Sequence, residues 1–172
     1  VDIDLAGQNN PFIDEFRLLE KGAWPVESRS VDLCLCDHVL EHLENPADFF
    51  SEARRVLTPG GFVCLRTTNA WGYPALISRA LPKNIPRTVR ARAKGSLKTQ
   101  DIFPTHYRCN TIPKIRAALD RRGFEHTVYG FRAEPSYLAF SRLAYRLGIL
   151  YQRFAPGWLS TVLFAFARLA QD

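Results

Sequence analysis

A strand–helix–strand pattern between Val31 and Asn69 constrains the fold of this 172-residue chain more than any other feature. Val31–Cys36 is a short, nearly continuous apolar run, which predicts a strand buried on both faces and favours a parallel sheet. Asn45 and Pro46 mark a helix start, because an amide side chain can cap free N–H groups and proline fits the first turn. Apolar residues then recur at helical spacing: Phe49, Phe50, Ala53, Val56 and Leu57.

The segment after this helix completes the pattern. Residues 58–61 read Thr-Pro-Gly-Gly, a sequence that stops a helix and turns the chain. Phe62–Thr68 is a second apolar run and predicts the second strand. Strand–helix–strand units connect right-handedly in parallel sheets, and their ligands bind at the carboxyl ends of the strands. We therefore expect a site at residues 36–42 and 67–73.

This block resembles the second half of class I S-adenosylmethionine-dependent methyltransferases. The resemblance is carried by VDLCLCDHVLEHL at 31–43, TPGG at 58–61 and FVCLRTTN at 62–69. It implies an α/β fold with a Rossmann-like sheet that is mostly parallel and has an antiparallel last strand. It also implies S-adenosylmethionine as cofactor and methyl transfer to a small-molecule or lipid-linked acceptor. The alternatives are a non-catalytic module that keeps the methyltransferase fold for binding or regulation, and a peripheral membrane protein whose basic helices matter more than its pocket.

The family's first strand and its glycine-rich turn have no counterpart in this sequence. In the family's strand order, 3-2-1-4-5-7-6, the first strand lies between the second and the fourth. A gap there would leave backbone donors and acceptors unpaired. We therefore expect a domain truncated at its N-terminus, part of a polypeptide that extends upstream by about 40 residues or more. This expectation requires that residues 1–4 do not pair directly with residues 31–36.

The resemblance divides residues 1–172 into three parts of one partial domain. Residues 1–69 form the cofactor-side half, residues 70–110 a basic lid or insertion, and residues 111–172 the C-terminal, substrate-side half. Further elements are predicted from periodicity and caps: a strand over 16–19, a helix over 111–119, a strand over 126–131, a helix over 136–154, and either an antiparallel strand or a helix over 161–168.

The cofactor-binding residues are implied by the resemblance. Asp2 matches the acidic residue that accepts hydrogen bonds from the cofactor's ribose hydroxyls, although a solvated turn aspartate is the alternative. The segment beside the adenine is matched by Glu20, Gly22 and Ala23, with Trp24 interpreted as packing. Cys36 and Asp37, at the end of the first predicted strand, complete the cofactor side.

Three residues are candidates for proton transfer from the methyl acceptor: Asp37, His38 and His106. Histidine titrates in the useful range, whereas Asp37 would need a raised pKa to act as a base near neutrality. The alternatives are a loop hydrogen bond for Asp37 and a surface position for His38. Glu41 and His42 could join His38 around a metal if the segment is helical, but we favour a structural role for them and assign no metal.

The candidate acceptor contacts are Asn69, Tyr73, Tyr107 and Arg108. The last two belong to the segment Asp-Ile-Phe-Pro-Thr-His-Tyr-Arg at 101–108, which resembles a substrate-side loop of the family. The alternative is that His106 and Tyr107 are buried residues whose polar groups are hydrogen-bonded within the protein.

The formal net charge of +6 is concentrated in one region. No acidic residue lies between Glu52 and Asp101, a stretch that holds many basic ones. A solvated charge run is the simplest explanation. The sharper one is that the basic segment 79–98 contacts an anionic acceptor or a membrane surface, whereas nucleic acid is disfavoured because no binding motif accompanies the charge.

The cysteines predict a reducing compartment. Cys34, Cys36, Cys64 and Cys109 include no Cys-x-x-Cys pair, and most lie in apolar strands, so we interpret them as core thiols. No signal peptide is recognisable, and the longest apolar tract is too short to span a bilayer. We therefore predict a cytoplasmic protein, with membrane association as an open alternative.

Overall fold

The computed structural model describes residues 1–19, 23–80 and 104–171. Alternating strands and helices make up most of these residues, with short 3-10 turns between them. The helices and strands are β1 (Val31–Asp37), α1 (Pro46–Val56), β2 (Leu57–Thr68), α2 (Tyr73–Ala80), α3 (Ile112–Asp120), β3 (Phe124–Phe131), α4 (Arg142–Phe154) and β4 (Val162–Leu169).

The four strands form one sheet in the order β1-β2-β4-β3. β1 is parallel to β2, and β4 is antiparallel to both of its neighbours. The predicted α/β sheet with an antiparallel last strand is therefore confirmed. The prediction of a mostly parallel sheet needs a correction at the level of pairing. Because β4 lies between β2 and β3, the described sheet has two antiparallel strand pairs and one parallel pair.

The Thr-Pro-Gly-Gly segment is part of β2, although the sequence predicts a turn before the strand. Val31 pairs with Leu57 and Leu33 pairs with Phe62, so the register slips between these two pairs. The extra residues bulge out of the ladder, and Gly60 at their centre has a φ of 82°. That backbone region is readily adopted only by glycine.

The core lies on one face of the sheet. Helices α1 and α3 cover that face with the fully buried side chains of Phe50, Ile115 and Leu119. The opposite face carries exposed apolar side chains among the described residues: Leu33, Leu35, Phe62, Tyr129, Phe131 and Phe166. The prediction that β1 is buried on both faces is therefore wrong for the described structure, because its helices cover one face only.

Residues 1–19 lie outside the four-stranded sheet. Asp2 and Leu18 form an isolated parallel bridge in place of the predicted strand over 16–19. Residues 1–4 form no described strand pairing with β1, whose paired neighbour is β2. The four strands thus follow the order that the resemblance implies. Among the described residues, residues 1–4 do not pair with residues 31–36, the pairing that would have contradicted the expected upstream extension.

The second half of the chain follows the predictions with one break. The helix predicted over 111–119 is α3. Of the two alternatives for residues 161–168, the structure adopts the strand, β4. The single helix predicted over 136–154 is divided into a 3-10 turn, Ser136–Leu138, and α4. The division occurs because Ser141 caps α4, its hydroxyl accepting a hydrogen bond from the N–H of Ala144.

The four cysteines are free thiols, and Cys36 and Cys109 are buried as predicted. Burial raises the pKa of Cys34 to about 11 and that of Cys36 to about 12. Such thiols stay protonated and behave as small apolar core groups. In the described part of the chain, no helix is both long enough and apolar enough to cross a membrane.

Candidate functional site

The carboxyl ends of β1 and β2 lie side by side because the two strands are parallel neighbours. Asp37 stands opposite Arg66 in the strand register. The Arg66 guanidinium donates two hydrogen bonds to the Asp37 carboxylate, one from Nε and one from Nη2. These bonds hold the pKa of Asp37 below its usual value. Asp37 is therefore an anion, and its pKa moves opposite to the shift that a base near neutrality needs.

His38 follows β1 and turns its imidazole back over the strand ends. Its N–H donates to the carbonyl of Arg66 at 2.8 Å, and its φ of 53° lies in the left-handed region that residues with a Cβ rarely adopt. The imidazole Nδ1 lies 2.9 Å from Oε1 of Glu41. That hydrogen bond raises the pKa of His38 above its ordinary value.

Glu41 is the buried centre of a polar network. Its Oε2 accepts a hydrogen bond from Thr67 Oγ1 at 2.6 Å, and its Oε1 accepts one from Thr68 Oγ1 at 3.1 Å. Asn110 Nδ2 donates to Thr67 Oγ1 at 2.6 Å. Burial acts to raise the pKa of Glu41, but the hydrogen bonds from His38 and Thr67 outweigh it, and its pKa is lowered. Because the ionised carboxylate can only accept, Nδ1 of His38 carries the proton.

The loop at 104–110 is joined to the same end of the sheet through backbone contacts. The N–H groups of His106 and Tyr107 donate to the carbonyl of Glu41 at 2.7 and 3.2 Å. His106 Nε2 lies 3.8 Å from Oε1 of Glu44. Arg108 is exposed, and its carbonyl accepts a hydrogen bond from the Lys114 ammonium at 3.0 Å. The loop backbone at His106 and Tyr107 is thus held against Glu41, while the His106 imidazole faces Glu44.

Asn69 and Tyr73 lie where β2 leads into α2. Asn69 is buried, and its Nδ2 donates to the carbonyls of Trp158 and Ser160 at 2.8 and 2.7 Å. Tyr73 packs edge-to-face against Tyr151, with ring centroids 5.4 Å apart. Asn69 therefore fixes the 157–159 turn against the end of β2, and its amide faces the protein interior.

The cofactor-side residues are less closely joined. Asp2 is exposed, and its Oδ1 accepts a hydrogen bond from the N–H of Asp4 at 3.0 Å. Ala23 is also exposed, while Cys36 is buried at the end of β1. Trp24 packs against Phe49 with ring centroids 5.3 Å apart, as the packing interpretation predicts. Glu20 and Gly22 lie outside the described residues, as does most of the basic segment 79–98.

The arrangement of His38, Glu41 and His42 differs from a metal site. His42 Nδ1 lies 2.8 Å from the carbonyl oxygen of Pro104, whereas His38 faces Glu41. Across residues 1–19, 23–80 and 104–171, no three His, Cys, Asp or Glu side chains are grouped so that they could hold a metal ion.

Known proteins resemble this chain in sequence over its first part and in fold over most of its length. Residues 4–65 match the family model described as a methyltransferase domain. The crystal structure of an S-adenosylmethionine-dependent methyltransferase from Mesorhizobium loti superposes with a TM-score of 0.55 at 18% identity, covering 95% of this chain and 73% of that one. This chain has the fold of S-adenosylmethionine-dependent methyltransferases.

Two further proteins are similar to this chain, one in sequence and one in fold. An uncharacterized 37.1 kDa protein in transposon Tn4556 of Streptomyces fradiae is 39% identical over 67 residues, which are 36% of this chain and 19% of that protein. The [4+2]-cyclase SpnF superposes with a TM-score of 0.52 at 14% identity, covering 92% of this chain and 56% of the cyclase. The matched residues thus span about a fifth of the length of the Streptomyces fradiae protein.

Sequence reasoning missed part of the polar site around Glu41. Asp37, His38 and His106 were identified from their positions after strands or in a loop. The roles of Thr67, Thr68 and Asn110 carry no local signal, because their partner lies 26 or more residues away in the sequence. The spacing of His38 and Glu41 was visible, but it fits both a metal site and a hydrogen-bonded pair.

Proposed function

We propose that this domain transfers a methyl group from S-adenosylmethionine to an acceptor that loses a proton in the reaction. The observation that carries the proposal is the His38–Glu41 pair at the carboxyl ends of β1 and β2, within a methyltransferase fold. Ligands of open α/β sheets bind at this edge. When bound, S-adenosylmethionine would supply an electrophilic methyl carbon, and residues of this chain would hold the acceptor and take up its proton.

His38 is the proposed proton acceptor. Because Glu41 accepts from Nδ1, the lone pair of the neutral ring lies on Nε2. Nε2 lies 3.8 Å from Oδ1 of Asp37, and the ring is partly exposed at the site mouth. A bound hydroxyl or amine could therefore pass its proton to Nε2. His106 is a second candidate for this role, while Asp37, in its ion pair with Arg66, lies beside the ring.

The Asp2 carboxylate fits the ribose of S-adenosylmethionine. An exposed carboxylate that accepts one hydrogen bond from Asp4 retains capacity for the two hydroxyls of a ribose. Glu20, Gly22 and Ala23 remain proposed neighbours of the adenine, and Cys36 a proposed apolar contact. Tyr73, Tyr107 and Arg108 remain proposed contacts of the acceptor, with Asn69 shaping the strand end behind them. The acceptor itself is proposed to be a small or lipid-linked molecule.

Calorimetric titration of S-adenosylmethionine and S-adenosylhomocysteine into the protein tests the proposal. We expect binding that Asp2→Ala weakens about tenfold or more, the value of hydrogen bonds to a charged group. Asp14→Ala is the matched control, because it removes the same charge from another exposed position of the same segment. Absence of binding to the unsubstituted protein would overturn the proposal and favour the non-catalytic binding module.

A further inference from the structure

Helix α4 exposes a continuous apolar stripe. Its members follow one another at intervals of four, three and four residues and so share one helix face. They are Leu143, Leu147, Leu150 and Phe154, with exposed fractions of 69%, 57%, 50% and 74%. Phe140, 82% exposed, precedes the stripe, and Trp158, 52% exposed, follows it. Large apolar side chains seldom form such a row on the surface unless something binds there.

The opposite face of α4 attaches the helix to the domain. Gly148 is buried there, and a Cβ at this position would lie 2.7 Å from Cβ of Pro135, so the helix backbone packs closely on the preceding turn. Tyr151 donates its hydroxyl to the carbonyl of Leu159 at 2.6 Å and packs against Tyr73. The helix is therefore held in one orientation, with its apolar stripe directed away from the described part of the domain.

Basic residues flank the stripe on one side. Arg142, Arg146 and Arg153 fall on the adjacent helix face, and residues 142–154 contain no acidic residue. Arg153 lies over the ring of Phe154, 5.7 Å from its centroid. Trp71 and Trp158, both partly exposed, pack edge-to-face with centroids 5.8 Å apart. Apolar and aromatic side chains are thus combined with positive charge only.

We propose that α4 docks this domain on an anionic lipid surface. A helix with an apolar face and flanking arginines lies in the plane of a membrane interface, where the apolar face enters the acyl boundary and the arginines contact lipid phosphates. The charge pattern fits an anionic lipid surface, because α4 combines exposed apolar side chains with arginines and carries no acidic residue that lipid phosphates would repel. The proposal extends the proposed function without depending on it. If both proposals hold, the domain meets its methyl acceptor at the membrane.

Vesicle co-sedimentation of the full chain tests the proposal. We expect binding to vesicles of phosphatidylcholine and phosphatidylglycerol at 3:1, weakening as salt rises, and at least tenfold weaker binding to pure phosphatidylcholine. Leu143→Gln with Leu147→Gln should reduce binding at least tenfold without unfolding the domain, because both positions are exposed and glutamine is a good helix former. Phe12→Gln, at an exposed position far along the chain, is the control and should bind normally.

A second pair of variants tests the charge contribution. Arg142→Gln with Arg146→Gln should weaken binding and flatten its salt dependence. Lys114→Gln with Arg121→Gln removes the same charge from exposed positions at α3 and should have a smaller effect.

Three results would overturn the assignment. One is normal vesicle binding by the variant that carries Leu143→Gln and Leu147→Gln. Loss of binding only on neutralising Arg87, Arg90 and Arg92 would assign the contact to the basic segment instead. A dimer that the leucine variant dissociates, without vesicle binding, would make the stripe a contact between copies. None of these readouts requires S-adenosylmethionine, so failure here and failure of the proposed function are separable.

Discussion

The imidazole of His38 is held by a carboxylate that is almost wholly shielded from solvent. A histidine whose pKa is raised in the folded state adds stability below its unfolded value of 6.5, and this contribution is lost as the pH rises through the folded pKa. Glu41, whose pKa is lowered from 4.5, adds stability above that value, which is lost as the pH falls through its folded pKa. The pair therefore stabilises the fold most between about pH 4.5 and pH 6.5, and its contribution declines on either side.

Glu41→Gln tests this pair directly. The substitution removes the negative charge beside Nδ1, so we expect the pKa of His38 to fall towards 6.5. Proton NMR titration of the imidazole signals measures the shift. The difference in free energy of unfolding between the unsubstituted protein and the variant should shrink as the pH rises through the His38 pKa. Glu44→Gln is the control, because Glu44 is exposed and faces His106 instead. An unchanged His38 pKa in Glu41→Gln would contradict the pairing.

At this scale the sequence predicts which residues lie near the site but not how they are paired. Asp37 and His38 could be placed because they directly follow an apolar strand. The partner of Asp37 could not, because Arg66 becomes its neighbour only through the β1–β2 register, which includes the slip at Thr58–Gly61. The pKa of Asp37 therefore moves in a direction that its local sequence does not indicate.

Gly130 determines how closely β3 approaches the turn that precedes β4. A Cβ at this position would overlap the carbonyl oxygen of Gly157 and lie 2.8 Å from Ser160 Cβ. We expect Gly130→Ala to destabilise the domain by about 1–3 kcal/mol, because backbone atoms of the turn must move. Chemical denaturation measures the loss. Gly157→Ala is the matched control, since nothing lies within 4 Å of its Cβ position. Equal stability of the two variants would show that the turn adapts freely.

Secondary structure is predicted best where caps and periodicity agree. The first residue of α1, Pro46, and the extent of α3 follow from such signals to within a residue. The break before α4 was missed because Leu, Phe and Tyr continue through Ser136–Leu138 at spacings that suit a helix. Helix α2 was also missed, since its Tyr-Pro start lies in a region interpreted as part of the lid.

Phe50 connects α1 to the single core. It is fully buried, packs edge-to-face against Phe49, and lies beneath the guanidinium of Arg122 at 5.8 Å. We expect Phe50→Ala to lower the free energy of unfolding by about 3–5 kcal/mol, through lost transfer energy and the cavity left behind. Thermal and urea unfolding measure the change. Phe12→Ala removes the same side chain from an exposed position and should leave stability nearly unchanged. A small loss for Phe50→Ala would mean that the core collapses around the gap.

The arrangement of the whole sheet was predicted through resemblance, not through residue patterns. Alternation along β2 and β4 shows which side chains share a face, yet it gives no strand order. Alternation also could not show that Leu33 and Leu35 would be exposed, because an apolar run reads the same whether its second face is covered or open. Covering that face depends on elements far from the strand itself.

β4 occupies an interior position in the sheet although it is the last described strand to be synthesised. β4 pairs with β3 on one side and with β2 on the other. On the ribosome, both therefore wait with open edges until residues 162–169 have emerged from the exit tunnel. Such edges are sites of non-native pairing. The nascent domain is thus most vulnerable to aggregation late in translation, when most of its core residues have already been made.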